Sequence, residues 1–171
     1  MTNKLRLRVM EKEDLPFVHN MFNNPAIMDY WFEEAYLSYA QLQEKFSKNM
    51  DDERQRHFIL DKSGERLGFV ALYSIDPRHR NAEYAIMIDP DHQGNGYATP
   101  ATRCAMDYAF NVLNLHKLYL YVDRENEKAM HVYKKAGFKK EAVLKEAFFV
   151  SGVYHDAVIM SVFQRDYLKV E

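Results

Sequence analysis

The stretch that decides the fold is Gln93-Gly94-Asn95-Gly96-Tyr97-Ala98, which follows a strand-like run over residues 84–88 and leads into an apolar-periodic helix. Its two glycines allow the backbone N–H groups to converge on one point, because no Cβ obstructs the turn. Thr99 is predicted to cap the helix and Pro100 to occupy its first position. A turn of this kind at a helix N-terminus suits a pyrophosphate, although glycine also serves strand-to-helix turns for purely structural reasons.

The motif and the composition exclude several classes of function. The loop matches neither G-x-x-x-x-G-K-[ST] nor G-x-G-x-x-G, which argues against binding of ATP or NAD. The formal net charge of −2 gives no reason to expect nucleic acid binding. The seven histidines lack the spacing of metal ligands, so no catalytic metal is expected.

Length and cysteine use indicate one cytoplasmic domain. The 171 residues, of which 47% are hydrophobic and 28% charged, suit a single globular domain over residues 1–171. The one cysteine, Cys104, excludes an intramolecular disulfide and fits a reducing compartment. There is neither a signal-like N-terminus nor an apolar run of transmembrane length, so we expect a cytoplasmic protein without membrane contact.

Hydrophobic periodicity predicts the element order β-α-α-β-β-β-α-β-α-β-β. Strands are expected at residues 5–9, 58–60, 67–75, 81–88, 117–122, 143–150 and 153–163. Helices are expected at residues 14–22, around 42–50, 99–112 and 127–136. Ser151-Gly152 is predicted to join the last two strands in a hairpin. The chain therefore has the pattern of one mixed α/β domain without a repeat or a linker.

A second motif follows the strand at residues 117–122. Asn126 opens a short helix that carries Ala129 and Tyr133, and Gly137 is placed to end it in the left-handed conformation. N-x-x-A, the helical tyrosine and A-G-F, together with Q-x-x-G-x-A in the first loop, resemble the two cofactor motifs of the GNAT superfamily of N-acetyltransferases. The resemblance covers about residues 5–163 and implies a single N-acetyltransferase domain. It implies an α/β fold with a central, mostly antiparallel sheet that splays between strands 4 and 5, with flanking helices.

The resemblance implies acetyl-CoA as the cosubstrate. Ligands of α/β sheets commonly bind beyond strand ends, and the strands at 81–88 and 117–122 would separate there. The residues implied to line the pantetheine arm are Ile86, Met87 and Ile88. Those implied to hold the pyrophosphate are Gln93, Gly94, Asn95, Gly96, Tyr97, Ala98 and Thr99. Those implied to flank the cofactor from the second motif are Asn126, Lys128, Ala129, His131, Tyr133 and Lys135.

Two residues are candidates for proton transfer. The resemblance makes Tyr133 the expected general acid, since the departing CoA sulfur needs a proton after acetyl transfer. Alternatively, Tyr133 packs on the helix face that it shares with Ala129 and Ala136. Glu83 points to the opposite face from Tyr84. It either attracts a cationic amine and takes its proton through water, or is a solvated strand residue.

Over its length the chain is most similar to bacterial spermidine/spermine N-acetyltransferases. Its sharpest match is Y-W-F-E-E at residues 30–34, and further matches lie at Arg8, 92–94 and 114–117. A polyamine is a flexible polycation, so carboxylates and aromatic rings suit it, although these rings could also be core or subunit contacts. The residues implied to bind this small amine are Met28, Glu33, Glu34, Glu83, Tyr84 and Ala85.

Four positions depart from that resemblance. Relatives usually carry Glu or His around a regulatory polyamine and divalent-ion site, where this chain has Leu37, Gln41, Asn49 and Ser74. Fewer carboxylates attract a polycation less strongly, so we expect weaker regulation and a weak or absent dependence on a divalent ion. The resemblance also implies a homo-oligomer, up to the dodecameric rings that relatives form.

Two other functions share the cofactor motifs. One is an acetyltransferase of the ribosomal-protein branch, which acts on a protein N-terminus. The other is a non-catalytic regulator that binds CoA or polyamine. Tyr133 argues against the regulator, and Y-W-F-E-E argues for a polyamine over a peptide.

Overall fold

The structure, a computed structural model, describes residues 4–168. Its strands are β1 Leu5–Val9, β2 Arg56–Lys62, β3 Glu65–Asp76, β4 Asn81–Ile88, β5 Lys117–Asp123, β6 Lys139–Val150 and β7 Val153–Phe163. Its helices are α1 Leu15–Phe22, α2 Pro25–Met28, α3 Tyr39–Asn49, α4 Ala98–Asp107, α5 Glu127–Ala136 and α6 Gln164–Tyr167, with a π-helical turn continuing α4 over Tyr108–Val112.

The strands form one sheet in the order β1-β2-β3-β4-β5-β7-β6. Every neighbouring pair is antiparallel except β4 and β5, which are parallel. The parallel pairing begins at Asn81 with Lys117 and stops at Glu83 with Tyr119, although both strands continue beyond it. The sheet therefore splays between β4 and β5, which confirms the predicted fold class.

Helices cover both faces of the sheet. One core cluster joins β4 and β5 to α4 and α5, with Tyr84, Ala105, Leu120 and Phe138 among its members. A second cluster packs α1, α2 and α3 against β2, β3 and β4, with Phe69 at its centre. Because side chains alternate along β4, this strand contributes to both layers and reaches the splay from either side.

Strands β2 and β3 extend one or two residues beyond their predicted bounds at each end, and two further predicted boundaries are wrong. The helix after the glycine loop begins at Ala98 with Tyr97 as its N-cap, so Thr99 and Pro100 are its second and third residues. Tyr97 already has helical angles, φ −70° and ψ −25°, because the turn is completed at Gly96. Strand β6 begins at Lys139 instead of 143, because its charged first residues lie on an outer strand and show no hydrophobic alternation.

Several local predictions are confirmed. The Asn126 side chain caps α5 by accepting a hydrogen bond of 3.1 Å from the Ala129 N–H, and Gly137 ends the helix at φ 109°. Ser151 and Gly152 have φ of 49° and 87°, the two positive values that a tight hairpin turn requires. No helix within residues 4–168 combines the length and the apolar composition needed to cross a membrane.

Candidate active site

A cavity of about 1300 Å³ occupies the splay and extends beneath the α1–α3 layer. It brings together sixteen of the residues singled out in the sequence: Glu33, Glu83, Tyr84, Ala85, Ile86, Met87, Ile88, Gln93, Gly94, Gly96, Tyr97, Ala98, Asn126, Lys128, Ala129 and Tyr133. They come from β4, from the glycine loop, from α5 and from the turn after α2. Residues that are far apart in sequence thus share one continuous space.

Six predicted site residues lie outside the lining of this cavity: Met28, Glu34, Asn95, Thr99, His131 and Lys135. Met28 is only 1% exposed, within the core under α1 and α3. Asn95 is exposed and donates a hydrogen bond of 3.1 Å to the His92 carbonyl, which helps to shape the glycine loop. The geometry assigns no role to Glu34, Thr99, His131 or Lys135.

The glycine loop presents unoccupied donors. Gly94 and Gly96 have φ of 80° and 74°, and a Cβ on either would meet no atom within 4 Å. The Gln93 side chain donates to the Ile88 carbonyl at 3.1 Å, which ties the loop to the end of β4. The N–H groups of residues 94–96 make no hydrogen bond to another residue in the part of the chain that the structure describes. The loop can therefore accept an anion through its backbone.

The two faces of β4 serve different neighbours. Tyr84 faces α4 and is 2% exposed, and its hydroxyl lies 3.0 Å from the Thr102 hydroxyl oxygen. Met87 lies on the opposite face and is also 2% exposed, packed in the core under α1–α3. The buried side chains of both residues leave mainly their backbone to meet a ligand in the cavity.

Tyr133 stands on α5 and lines the cavity opposite β4. Its ring centroid is 6.3 Å from that of Tyr84 and 5.9 Å from that of Phe138, so the ring is packed on one side. Burial raises the pKa of Tyr133 to about 12. The phenol is therefore protonated at neutral pH, as a general acid must be, and among described residues its hydroxyl has no hydrogen-bond partner.

Glu83 is half-buried and lines the same cavity from the other face of β4. Burial, and to a smaller extent the negative charge of Glu33, raises the pKa of Glu83. In the sheet Glu83 lies between two tyrosines, since it pairs with Tyr73 on β3 and with Tyr119 on β5. A carboxylate with a raised pKa is a better proton acceptor than a solvated one.

Aromatic rings enclose the acidic part of the cavity. Trp31 donates its indole N–H to the Ile86 carbonyl at 3.2 Å, which covers part of the β4 edge that the splay exposes. Phe32 has φ 58°, a left-handed value uncommon for a bulky residue. Its ring stacks on that of Phe148, with 4.0 Å between the ring centroids and 6° between the ring planes. Trp31 and Phe32 therefore connect the turn after α2 with β4 and with β6, while Tyr30 is 57% exposed.

Sequence reasoning did not single out Tyr73, His57, Tyr121 or Phe148, which also line the cavity. Tyr73 is placed beside Glu83 by the register of β3 against β4. The alternation of β3 indicates that Tyr73 points to one face, but only the register shows which residue it meets.

The positions that depart from the polyamine-acetyltransferase pattern lie in different places. Leu37 and Asn49 line the cavity, together with Glu33 and Lys45. Gln41 is engaged in a capping box with Ser38 at the start of α3. Ser74 is exposed at φ 50°, outside the cavity lining. This end of the cavity thus carries both a carboxylate and an ammonium group.

One group of three residues within 4–168 has metal-ligating atoms close together, namely Asp123, Glu125 and His155, with those atoms within 4.8 Å of one another. His155 Nδ1 is 2.6 Å from Asp123 Oδ2, a contact that a hydrogen-bonded pair accounts for. The absence of a catalytic metal stays a prediction.

Comparison with known proteins gives the family. The acetyltransferase (GNAT) domain profile matches residues 4–139. The spermidine N(1)-acetyltransferase of Escherichia coli strain K12 is 47% identical over 166 residues, which cover 97% of this chain and 89% of that protein. The chain belongs to the GNAT acetyltransferase family, which confirms the resemblance seen in its two motifs.

Two solved structures are also similar. Spermidine N-acetyltransferase from Vibrio cholerae in complex with CoA and spermine matches with a TM-score of 0.95 at 44% identity, covering 98% of this chain and 99% of that one. Spermidine/spermine N-acetyltransferase from the same organism in complex with manganese ions matches with a TM-score of 0.88 at 43% identity, covering 98% and 97%.

GNAT acetyltransferases use acetyl-CoA, and the chain fits this cosubstrate. The edge of β4 is unpaired by β5 beyond Glu83, which leaves backbone groups at the splay for a pantetheine arm. The open glycine loop at residues 93–98 offers N–H donors at a helix N-terminus, where a pyrophosphate binds favourably.

Proposed function

We propose that this protein transfers the acetyl group of acetyl-CoA to a primary amine of spermidine or spermine. The observation that carries the proposal is that Glu33 and Glu83 share one cavity with Tyr133 and the glycine loop. The carboxylates suit a cationic substrate, and the loop suits a pyrophosphate. The spermidine acetyltransferases to which the chain is similar over nearly its full length support the same substrate class.

When bound, acetyl-CoA supplies an acetyl thioester. Ile86 and Ile88 on β4 would contact the pantetheine arm, the loop at residues 93–98 would hold the pyrophosphate, and Asn126 with Ala129 would flank the cofactor from α5. The proposed transfer is direct, from thioester to amine. Burial raises the pKa of the only cysteine, Cys104, which is outside the cavity lining and so does not serve as an intermediate nucleophile.

Two side chains move protons in this reaction. Glu83 removes a proton from the substrate ammonium, directly or through water, because only a neutral nitrogen has a free electron pair. Tyr133 donates its phenolic proton to the leaving sulfur from the opposite wall of the cavity, and the second proton that the nitrogen loses as the amide forms restores the phenol. The two groups stand on different elements, so proton removal and proton donation do not compete for one residue.

The test is a substrate panel with acetyl-CoA, comprising spermidine, spermine, a monoamine and a peptide with a free N-terminus. Turnover of the polyamines, reduced strongly in Glu83→Gln, is the expected result. Turnover of the peptide alone would indicate an N-terminal acetyltransferase of the ribosomal-protein type. CoA binding without turnover of any amine would indicate a regulator.

The quaternary structure and cell compartment belong to the same proposal. We propose a homo-oligomer, up to a dodecamer, of a single domain over residues 1–171. Exposed aromatic side chains support it, with Tyr36 at 78%, Phe149 at 63% and Tyr154 at 62% exposure. A cytoplasmic location is supported by the single cysteine and by the substrate class. Sedimentation analysis of the purified protein measures the subunit number, and a monomer would contradict the oligomer.

A further inference from the structure

Three polar residues on neighbouring strands form a row on the sheet face beneath α1–α3. His57 on β2 pairs with Ala71 on β3, and Tyr73 is two residues further along β3 on the same face. Tyr73 in turn pairs with Glu83 on β4. All three line the cavity, so the row runs from the splay into the part of the cavity beneath the helices.

Tyr73 is the middle member of the row and its ring is held firmly. Its ring centroid lies 6.5 Å from that of Trp31, with an angle of 88° between the ring planes. It lies 5.5 Å from that of His57, with an angle of 68°. Burial, followed by the charges of Glu33 and Glu83, raises the pKa of Tyr73 above its usual range, so the phenol is neutral. In the part of the chain that the structure describes, its hydroxyl makes no hydrogen bond, although two carboxylates are near it.

We propose that this row binds the polyamine chain, and that Tyr73 is a specificity-determining residue whose hydroxyl oxygen accepts a hydrogen bond from the second nitrogen of the substrate. The proposal rests on the proposed function, in which Glu83 receives the first, reacting nitrogen. The additional residue, Tyr73, would distinguish substrates that carry a second amine from those that do not.

Spacing supports this assignment. Neighbouring strands lie about 4.8 Å apart, which is similar to the separation of two nitrogens joined by an extended three-carbon chain, so a substrate whose first nitrogen lies at Glu83 on β4 can extend to Tyr73 on β3. A monoamine that reacts beside Glu83 places only hydrocarbon at Tyr73. A diamine or triamine places an N–H donor there, and an ammonium group would also face the carboxylate of Glu33.

His57, the neighbour of Tyr73 in the row, adds no positive charge to the cavity. Burial lowers the pKa of His57, so this imidazole is neutral at physiological pH and does not repel a second ammonium group. The Nε2 atom of His57 is buried without a hydrogen-bond partner among the described residues. Asn49 and Gln55, both uncharged, also line the cavity, and Lys45 is the positively charged residue that opposes the carboxylates of Glu33 and Glu83 there.

The experiment compares Tyr73→Phe with Tyr119→Phe as a matched control. Each variant removes one hydroxyl from a tyrosine that pairs directly with Glu83, but Tyr119 stands on β5 and is outside the lining of the cavity. Kinetic constants are measured for spermidine and for propylamine. Calorimetry with spermidine and propylamine on the CoA-bound protein measures the same selectivity without turnover.

In Tyr73→Phe the KM and the dissociation constant for spermidine are expected to rise about tenfold, the effect of losing one hydrogen bond to a charged group. The constants for propylamine and the kcat for spermidine should change less than twofold. Tyr119→Phe should not change the ratio of spermidine to propylamine affinity.

Two outcomes would overturn the role of Tyr73. One is an equal loss for spermidine and propylamine, which would mean that the hydroxyl only positions Glu83. The other is an equal selectivity loss in Tyr119→Phe. Failure of the proposed function looks different: the unsubstituted protein would bind spermidine without acetylating it, and calorimetry would still decide the role of Tyr73. Absence of spermidine binding altogether would overturn both.

Discussion

At the scale of single residues, Tyr133 carries the clearest prediction. Its pKa, raised to about 12 by burial, keeps the phenol protonated, and the cavity places it across from β4. Tyr133→Phe keeps the ring that packs on Phe138 and removes only the proton donor. We expect kcat to fall about 10²-fold, a typical effect of one positioned acid, while calorimetry shows nearly unchanged CoA binding.

Tyr108→Phe is the control for that measurement. Tyr108 packs on Phe58 at 5.0 Å and lies outside the cavity lining, so its hydroxyl should not affect kcat. A kcat for Tyr133→Phe close to that of the control would show that Tyr133 only packs and that water protonates the sulfur.

The residues of the site were predictable to different degrees. Tyr133 could be chosen from the sequence because a motif marks it, and Glu83 because the strand alternation places it on the face opposite Tyr84 and the resemblance implies that it binds the amine. Tyr73 carries no such mark, since its role depends on pairing with Glu83 across two strands and on the ring of Trp31. The register of β3 against β4 shifts between Tyr73 and Asp76, close to the loop that joins the two strands, and hydrophobic alternation does not reveal such a shift.

At the scale of elements, the loop at residues 93–98 makes a prediction that separates ligand contact from backbone strain. Gly96→Asp adds a carboxylate where the pyrophosphate is proposed to bind, and it also places a non-glycine residue at φ 74°. Charge repulsion and lost space should weaken CoA binding about 10-fold or more. Calorimetry measures the affinity, and circular dichroism checks that the variant is folded.

Gly64→Asp is the matched control for the loop. Gly64 has φ 90° in the turn between β2 and β3, and a Cβ there also meets no atom within 4 Å. Both variants therefore place a non-glycine residue at a positive φ, but only Gly96→Asp adds a carboxylate at the proposed pyrophosphate site. Equal CoA affinities in folded Gly96→Asp and Gly64→Asp would contradict the proposal that the loop at residues 93–98 binds the pyrophosphate.

Turns and helix ends marked by glycine or asparagine could be predicted from the sequence, whereas the separation of neighbouring strands in the sheet could not. Gly137 and the Ser151-Gly152 turn lie where their conformational preferences place them. The start of α4 was missed because Tyr97 turns helical directly after Gly96, which no capping side chain signals. The splay itself was implied by the resemblance alone, because a separation between two strands leaves no periodic trace in either of them.

At the scale of the whole molecule, the charges around the cavity set how it should respond to salt and to metal. Glu33 and Glu83 attract a polycation, while Lys45 on α3 opposes it and Leu37 and Asn49 add no charge. Several charges acting on one polycation are screened together as ionic strength rises. The cavity is thus expected to attract a polyamine but to hold a second, regulatory one poorly.

Steady-state curves for spermidine and spermine at low and high salt, with and without a chelator, test this expectation. The KM should rise severalfold between about 0.01 M and 0.15 M ionic strength, as the screening length falls from about 30 Å to about 8 Å. Leu37→Glu, which adds a carboxylate to the cavity, should lower the KM at low salt and steepen its salt dependence. Cooperativity should be weaker than in relatives that keep the full acidic cluster, and chelation should have little effect. Strong sigmoidality that is lost on chelation would show an intact regulatory metal and polyamine site, and would contradict the weak regulation expected from Leu37, Gln41, Asn49 and Ser74.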